Sequence, residues 1–565
     1  MSYRQERAPH PIVVCSLIVV AIVAAIVAVW LIIWGITAIF GFGPTHLHDT
    51  VGLVQGGLFP GGLPTPFFWI LASIVLAVGM IVSAYSGDSD GMLATAWVVA
   101  VVIVVASIVL GIVKGVTHDI IASDYYLETS SLEVKNPDVL PTMLVKYVDQ
   151  GSVTIPINQG DLNSEWVPRV ASMTGALKVL SKTSGSINNA ELMTDTLTYL
   201  YGEGDSGAWT AIRNSGGQQD IYGISSWNGT GDANRIETCR FDGDYSLNRN
   251  FGGMWGKNLW NSVVNAYPSF FYNESDMWGY CDGGEPIIVI PGVRLTHTDM
   301  RTVDAPGGVV TIRGSKSGEP VMDMVVDVKP GDFPGPVYAQ RLVNSQRDAL
   351  DWGAGYWQSV NEHFGFDATS VDSQLGNNSN YLLKSKKDGR LYWVTPLKPQ
   401  ASDDQTLIAY SIILADEVTS NLNPQVVSVL NEDDPRVVNL DDLFAYAQDA
   451  VCNLPDPNFC TDTPKGQIVE FLPVTDTHWQ AFGEISGRVK YLVDLEIGGA
   501  TIKTSTTTLE TDQPDFGAET DGGTNPSTGG DGSISCDDPS SLTNQQLADC
   551  LTALADELQN RNGTE

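Results

Sequence analysis

Residues 92–113 read MLATAWVVAVVIVVASIVLGIV and contain no charged side chain. A helix of this length, at about 1.5 Å per residue, crosses the ~30 Å hydrocarbon core of a bilayer. Two similar runs precede it, Ile12–Phe40 and Phe67–Tyr85. Because none of the three carries Asp, Glu, Lys, Arg or His, they are typical of an anchor and not of a transporter. The sequence therefore predicts an α-helical membrane anchor of three transmembrane helices within residues 12–116, after an N-terminus at 1–11.

The basic residues around these runs indicate an orientation. Arg4 and Arg7 precede the first run, whereas the loops 41–66 and 86–91 contain no Lys or Arg. Since Lys and Arg concentrate on the cytoplasmic side of a membrane, we expect an integral plasma membrane protein with its N-terminus in the cytoplasm. Three crossings then place the bulk of the chain, beyond Lys114, on the extracytoplasmic side, although Lys114 itself departs from the rule.

Beyond about Ser123 the periodicity changes to short apolar runs separated by Gly, Asn, Asp and Pro, which is typical of β-strands. Helical patterns interrupt these strands. The expected fold is therefore α+β and strand-rich, in two parts, 117–335 and 336–510. The expected strands begin at Val153, Glu285, Gly308, Val321, Leu391 and Thr406, and the expected helices are Met254–Ala266, Val343–Phe364 and Leu440–Val451, the last with Asn439 as N-cap.

The two parts also share an order of elements. In each, a helical pattern leads to an Asp-Gly turn, at Asp282 and at Asp388, and then to a buried strand that a proline ends. Either the domain repeats one helix-on-sheet unit, or the shared order is a coincidence that any α+β domain can produce. The sequence leaves both open.

The same segments carry a family resemblance. Gly279-Tyr-Cys-Asp-Gly-Gly-Glu-Pro-Ile-Ile-Val-Ile-Pro and Lys387-Asp-Gly-Arg-Leu-Tyr-Trp-Val-Thr-Pro-Leu resemble stretches in uncharacterised actinobacterial and actinophage membrane proteins with a large extracytoplasmic domain. The resemblance covers the middle of the ectodomain. It implies a cell-envelope protein and no particular catalytic residue.

The net charge and the placement of the cysteines indicate which partners and which cellular compartment to expect. The 565 residues include 31 Lys and Arg against 66 Asp and Glu, a net charge of −35, which opposes binding to nucleic acid. Six of the seven cysteines lie beyond the predicted membrane anchor without a C-x-x-C motif, so disulfide bonds are expected in an oxidising compartment. Local spacing favours three pairs, with six free thiols as the alternative. The pairs are Cys239–Cys281, Cys452–Cys460 and Cys536–Cys550.

The C-terminal region has two expected segments. Residues 511–535 are rich in Gly, Ser, Thr and Asp and predict a disordered acidic linker. Residues 536–565 predict an amphipathic helix, whose apolar face could bind its own domain, a second copy or a protein partner. That face consists of Leu547, Leu551, Leu554 and Leu558.

No complete catalytic or metal-binding set is apparent, and no cofactor is expected. Ser206 lies in a Gly-Asp-Ser-Gly motif like that of serine proteases, but a triad also needs a histidine, and only His118 precedes it in the domain. His46, His48 and His118 could meet at the outer membrane face to bind a metal, although histidines are common at interfaces. We expect a non-enzymatic binding or assembly protein of the cell envelope. An envelope hydrolase, or an accessory subunit of a membrane complex, is the alternative.

Overall fold

The computed structural model describes residues 72–76 and 78–79, and 89–508 with short gaps. The gaps are 150, 152, 161–164, 170, 183–189, 203–206, 216–219, 229–235, 254, 299–300, 370–379, 401, 403–404, 435, 455–459, 461–465, 476, 486–487 and 499–500. The first expected span, the linker and the C-terminal segment lie outside the described residues. So do Ser206, His46, His48, Cys536, Cys550, Leu547, Leu551, Leu554 and Leu558.

The described elements confirm a strand-rich α+β fold. The helices are α1 (Ser89–Leu127), α2 (Thr142–Asp149), α3 (Met173–Lys182), α4 (Leu259–Ala266), α5 (Gln340–Asp348), α6 (Tyr356–Glu362) and α7 (Leu440–Cys452). The strands are β1 (Ser130–Val134), β2 (Ile157–Gln159), β3 (Ala190–Leu192), β4 (Thr198–Tyr201), β5 (Gly207–Ser215), β6 (Gly223–Trp227), β7 (Glu237–Arg240), β8 (Trp278–Asp282), β9 (Glu285–Thr298), β10 (Arg301–Arg313), β11 (Val321–Val325), β12 (Phe366–Ala368), β13 (Tyr381–Lys384), β14 (Leu391–Pro399), β15 (Ala409–Leu414), β16 (Gln425–Val429), β17 (Gly466–Thr475), β18 (His478–Ile485), β19 (Arg488–Gly498) and β20 (Thr501–Thr508).

The long helix α1 contains the third apolar run and continues into the globular domain. Near its beginning, a small buried cluster joins Ala100 to Ala72 and Leu76 of the preceding helical segment. Gly79 comes so close that a Cβ there would lie 2.3 Å from the Cβ of Ala96, so only glycine allows this helix contact. Among the residues that the structure describes, no helix reaches the length and apolar character expected of a membrane span. The three predicted transmembrane helices are therefore not supported by this part of the chain.

A seven-stranded mixed sheet joins the two expected parts of the domain. Its strands lie in the order β12-β14-β15-β16-β1-β2, with β13 beside β14, and β1 runs parallel to both of its neighbours. Leu132 of β1 pairs with Val427 of β16, so strands from both sides of the expected 335/336 boundary share one sheet. Whether either part folds alone stays a prediction.

Three antiparallel sheets complete the domain: β3-β5-β6-β7 with β4 beside β5, β8–β11, and β17–β20. One core lies between the mixed sheet, α1 and α5 and includes Leu132, Tyr126 and Leu342. A second core fills the space between β5–β6, β9–β10 and α4. In a third, Leu443 of α7 packs with Trp479 of β18.

Most of the expected strands are present, but their ends differ. A proline was expected to end the strands that begin at Glu285 and Leu391, yet β9 continues past Pro291 and β14 continues past Pro396. Pro291 falls between the last β8 pair, at Val289, and the bridge of Val293 to Phe271. No residue on that side pairs with Pro291 itself, so the missing N–H is accommodated. The prediction of a strand beginning at Val153 is wrong, because of residues 153–157 only Ile157 belongs to β2.

Among the helices, Leu440–Val451 is confirmed. The Asn439 side chain accepts a hydrogen bond from the N–H of Asp441, at 2.8 Å, as an N-cap does. The single helix expected at Val343–Phe364 is wrong, because it divides into α5 and α6. Gly355 between them has a φ of +89°, a backbone conformation that interrupts a right-handed helix and that glycine adopts readily.

Disulfide bonds are confirmed at two of the three expected pairs. Cys239 of β7 is bonded to Cys281 of β8 and links two sheets across 42 residues of sequence. Cys452, at the end of α7, is bonded to Cys460, eight residues later. The partners are those that local spacing predicts.

Candidate ligand-binding cavity

A cavity of about 380 Å³ lies where α3, the β4–β5 hairpin, β13 and the beginning of α5 meet. Both aromatic and charged side chains line its wall. Tyr199, Trp209, Tyr381 and Trp393 supply rings, and Arg169 and Asp276 supply charge, among other residues. This volume and this mixture of apolar wall and few charged groups are typical of small-molecule sites.

Arg169 is held in the wall by several partners. Its Nη1 lies 3.5 Å from Oε1 of Glu470, and the two side chains are only 10% and 1% exposed. Its Nη2 donates a hydrogen bond to the carbonyl oxygen of Leu382, at 3.1 Å. The guanidinium carbon also lies 5.4 Å and 5.2 Å from the ring centroids of Tyr199 and Trp209, within cation–π range. These contacts compensate a buried positive charge.

Glu470, the partner of Arg169, has an unusual backbone. Its φ is +49°, where the β17–β18 register shifts between Val469 and Leu472. Its Oε1 accepts a hydrogen bond of 2.6 Å from the N–H of Met173, at the beginning of α3. Burial raises the pKa of the Glu470 carboxyl to about 7, despite the opposing effect of Arg169. Backbone strain of this kind is retained where the surrounding structure requires it, often at functional sites.

Asp276 is the most unusual group of the wall. Its residue is only 7% exposed, and both carboxyl oxygens have almost no accessible surface. Burial raises its pKa to about 7, although the backbone N–H groups of Arg341 and Gln340, at the beginning of α5, lower it. The Asp276 carboxyl group therefore lies against the N-terminus of α5, where a negative charge is favourable.

Further carboxylates lie near Asp276. Asp195 is exposed and also lines the cavity. The turn 194–196 that carries it contacts the turn 274–276. The pKa of Glu274 is raised by burial and by the carboxylate of Asp195. The end of the cavity near Asp276 therefore carries negative charge. The positive charge of Arg169, also in the wall, is balanced by Glu470.

A half-buried acidic pair lies elsewhere in the domain. Asp351, after α5, shares a hydrogen bond with Asp367 of β12, and burial together with the Asp367 carboxyl raises its pKa to about 8. Two carboxyl groups that share a proton also occur in aspartic proteases. Neither Asp351 nor Asp367 lines the cavity of Arg169.

The residues predicted from sequence contribute little to this cavity. His118 lies on α1, and in the described ranges no three His, Cys, Asp or Glu are arranged to hold a metal ion. Among the aromatic residues outside the cavity, Trp260 and Trp278 are buried in cores, whereas Trp357 is 69% exposed.

Sequence reasoning missed Arg169, Asp276 and Glu470. The one available signal was Glu470 itself, a charge within the apolar strand Ile468-Val-Glu-Phe-Leu. No family model, curated protein or solved structure matches this chain, and the cavity is therefore interpreted from its own chemistry.

Proposed function

We propose that this chain is a membrane-anchored cell-envelope protein whose extracytoplasmic domain binds a small polar ligand in the Arg169–Asp276 cavity without catalysis. The observation that carries the proposal is the cavity of about 380 Å³, in whose wall the rings of Tyr199, Trp209 and Tyr381 lie beside the charged Arg169 and Asp276. Small-molecule sites typically combine an apolar wall with a few polar groups in this way.

The anchored, extracytoplasmic location is supported by the apolar runs and by Arg4 and Arg7. The disulfide bonds Cys239–Cys281 and Cys452–Cys460 agree with it, because such bonds persist mainly outside the cytosol. The resemblance to actinobacterial and actinophage membrane proteins, and partner binding by the C-terminal leucines, belong to the same proposal.

One observation favours an envelope hydrolase as a second candidate. A hydrogen bond joins the carboxyl groups of Asp351 and Asp367, an arrangement that general acid–base chemistry can use. It ranks second because the pair lies apart from the cavity that could hold a substrate. A role as an accessory subunit of a membrane complex is compatible with either candidate.

Ligand binding is tested with the full chain in detergent or nanodiscs. Thermal unfolding is followed while panels of small amines, carboxylates and saccharides are added. We expect one class to raise the unfolding temperature of the wild type and to lose this effect in Asp276→Asn. Asp244→Asn is the matched control, because the Asp244 side chain is 70% exposed and pairs only with an exposed lysine, Lys316. If no class stabilises the wild type, the proposed function is wrong.

Location is tested separately, by adding protease to intact cells that express the full chain and to inside-out vesicles. We expect cleavage beyond Lys114 in intact cells and protection in the vesicles. The opposite pattern would overturn the extracytoplasmic placement and leave the result of the ligand assay unaffected.

A further inference from the structure

We propose that the exposed face of α6 is a membrane-contact surface, whose Tyr356, Trp357 and Val360 side chains enter the headgroup layer of the bilayer that holds α1. The inference rests on the proposed function, since it requires a membrane-anchored chain. It adds a second point of contact with the lipid, on the globular domain itself.

The surface of α6 has one buried and one exposed face. On the buried face, Ser359 is only 2% exposed, and its hydroxyl donates to backbone carbonyl oxygens that precede the helix. On the other face Tyr356, Trp357 and Val360 are 38%, 69% and 45% exposed. Val360 follows the two aromatic residues by four and three positions, so the three side chains are neighbours on the helix surface. They form one apolar surface that faces away from the core.

The apolar surface continues onto α2 and carries little net charge. Lys146 of α2 forms an ion pair with Glu362 of α6, which brings the two helices together. Val145, next to this lysine, is 40% exposed. Because the two charged side chains at the border of the surface compensate each other, moving it toward lipid costs less than it would for an unpaired charge.

The path of the chain directs α6 toward the predicted membrane. Gln346 of α5 donates from Nε2 to Oγ1 of Thr129, at 3.3 Å, just past the end of α1. The turn 349–352 follows α5 and packs on α1 more extensively than α5 does. The chain must therefore run back along α1, toward its apolar run, to make this contact. α6 follows the turn, and the ring centroids of Trp352 and Tyr356 are 6.1 Å apart.

The distance to the bilayer is short. The apolar run of α1 ends at Val113, and Ala122 is already buried in the domain core. The helix between them rises about 14 Å, and the headgroup layer occupies about 5–7 Å of this. A turn that runs back along α1 closes most of the remaining gap, which brings the side chains of α6 within reach of the headgroups.

The side chains of α6 suit this layer. Trp and Tyr are enriched at membrane–water interfaces, because each combines an apolar ring with one polar atom. The chain has a net charge of −35, which opposes anionic headgroups, so contact with lipid depends on uncharged side chains such as these. α1 offers the adjoining lipid surface, where four valines are at least 53% exposed: Val98, Val102, Val105 and Val109.

Spin labels on the full chain in phosphatidylcholine nanodiscs test the proposal. Single cysteines for labelling replace Val360, Val102 of α1 and Tyr446, in a Cys15→Ser background whose own labelling is subtracted. Tyr446 is the matched control, since it is 47% exposed on α7, a helix that packs on β17–β20. Collision rates are measured with oxygen, which concentrates in lipid, and with a nickel chelate, which stays in water.

We expect the ratio of oxygen to nickel-chelate collisions to be several-fold higher at residue 360 than at residue 446. Trp357→Ser should lower the ratio at residue 360, whereas Tyr446→Ser should leave it unchanged. A nickel-chelate accessibility at residue 360 equal to that at residue 446, or no effect of Trp357→Ser, would overturn the proposal. Protection of residue 360 from both reagents would also overturn it, because a protein contact then covers α6.

The label at residue 102 separates this inference from the proposed function. If residue 102 lies in lipid and residue 360 in water, the membrane contact of α6 is wrong while the anchored location stands. If the nickel chelate reaches residue 102 as well, the membrane anchor itself is wrong.

Discussion

At the scale of single residues, the Arg169–Glu470 pair shows how this domain tolerates buried charge. Each group is compensated by the other and by backbone partners, Leu382 for the arginine and Met173 for the glutamate. Removing one member of such a pair leaves the other uncompensated, which costs far more than breaking an exposed pair. The pair therefore holds the cavity wall in place and does not act as a free binding group.

We predict that Arg169→Met lowers the free energy of unfolding by about 3–5 kcal/mol at about pH 8, because the buried Glu470 carboxyl group loses its counter-ion and must be ionised without one or take up a proton. At about pH 5 the loss should be smaller, because Glu470, with a pKa of about 7, is then protonated. Urea denaturation at both pH values measures this. The control Lys316→Met breaks a pair whose side chains are 79% and 70% exposed and should cost less than about 1 kcal/mol. An equal loss at both pH values would show that ionised Glu470 is not the cause.

Three carboxyl groups with raised pKa values, two of them buried and one half-buried, predict an unusual dependence of stability on pH. The pKa values are raised to about 7 at Asp276 and Glu470 and to about 8 at Asp351, so the folded chain holds protons that the unfolded chain releases above about pH 4. Stability from these groups is full below about pH 4 and is lost as the pH rises through about 7–8. Asp351→Asn should therefore reduce the fall in unfolding free energy over this range by up to about 1.4 kcal/mol per pH unit. A series of urea titrations that shows an unchanged slope would contradict this assignment.

At the scale of elements, α7 depends on its first hydrogen bond. Asn439→Ala removes the side-chain acceptor for the N–H of Asp441 and should lower the free energy of unfolding by about 0.5–2 kcal/mol. Asn439→Ser keeps an acceptor at the N-cap and should cost much less. Chemical denaturation of the two variants makes the comparison, and equal losses would mean that packing of residue 439 matters more than capping.

The two disulfide bonds should differ in their contribution. In the chain-entropy description, a bond that closes a longer loop restricts the unfolded chain more. Cys239–Cys281 spans 42 residues and Cys452–Cys460 spans 8, which corresponds to about 4 and about 2.5 kcal/mol. Double Cys→Ser variants, compared by denaturation without reductant, should show this order. The reverse order would indicate that strain or residual structure dominates.

At the scale of the whole molecule, the mixed sheet contains strands from both expected parts of the domain, 117–335 and 336–510. β1 lies before residue 335 and pairs with β16, which lies after it. We predict that the separate segments 117–335 and 336–510 show no cooperative thermal unfolding, whereas the two produced together associate and unfold cooperatively. Near-ultraviolet circular dichroism follows both. Cooperative unfolding of either segment alone would establish the boundary as a true domain limit.

Much of the fold could be predicted from local patterns. Alternating apolar residues predicted β9, β10 and β14, and Asn439 before an apolar helical repeat predicted the beginning of α7, because these signals act between residues close in sequence. The patterns failed where tertiary packing intervened, as at Gly355 and Pro291. The cavity gave no local signal, since Arg169, Asp276 and Glu470 are each ordinary charged residues in the sequence.

The amino-acid sequence by itself determined the strand-rich α+β class, the acidic charge and the partners of two disulfide bonds, because composition, periodicity and short spacing carry that information. Only the tertiary structure decided which charges are buried together. Arg169 and Glu470 are 301 positions apart, and only the approach of β17 to α3 and the β4–β5 hairpin places them in contact. Burial, and with it the raised pKa of Asp276, is a property of the assembled core.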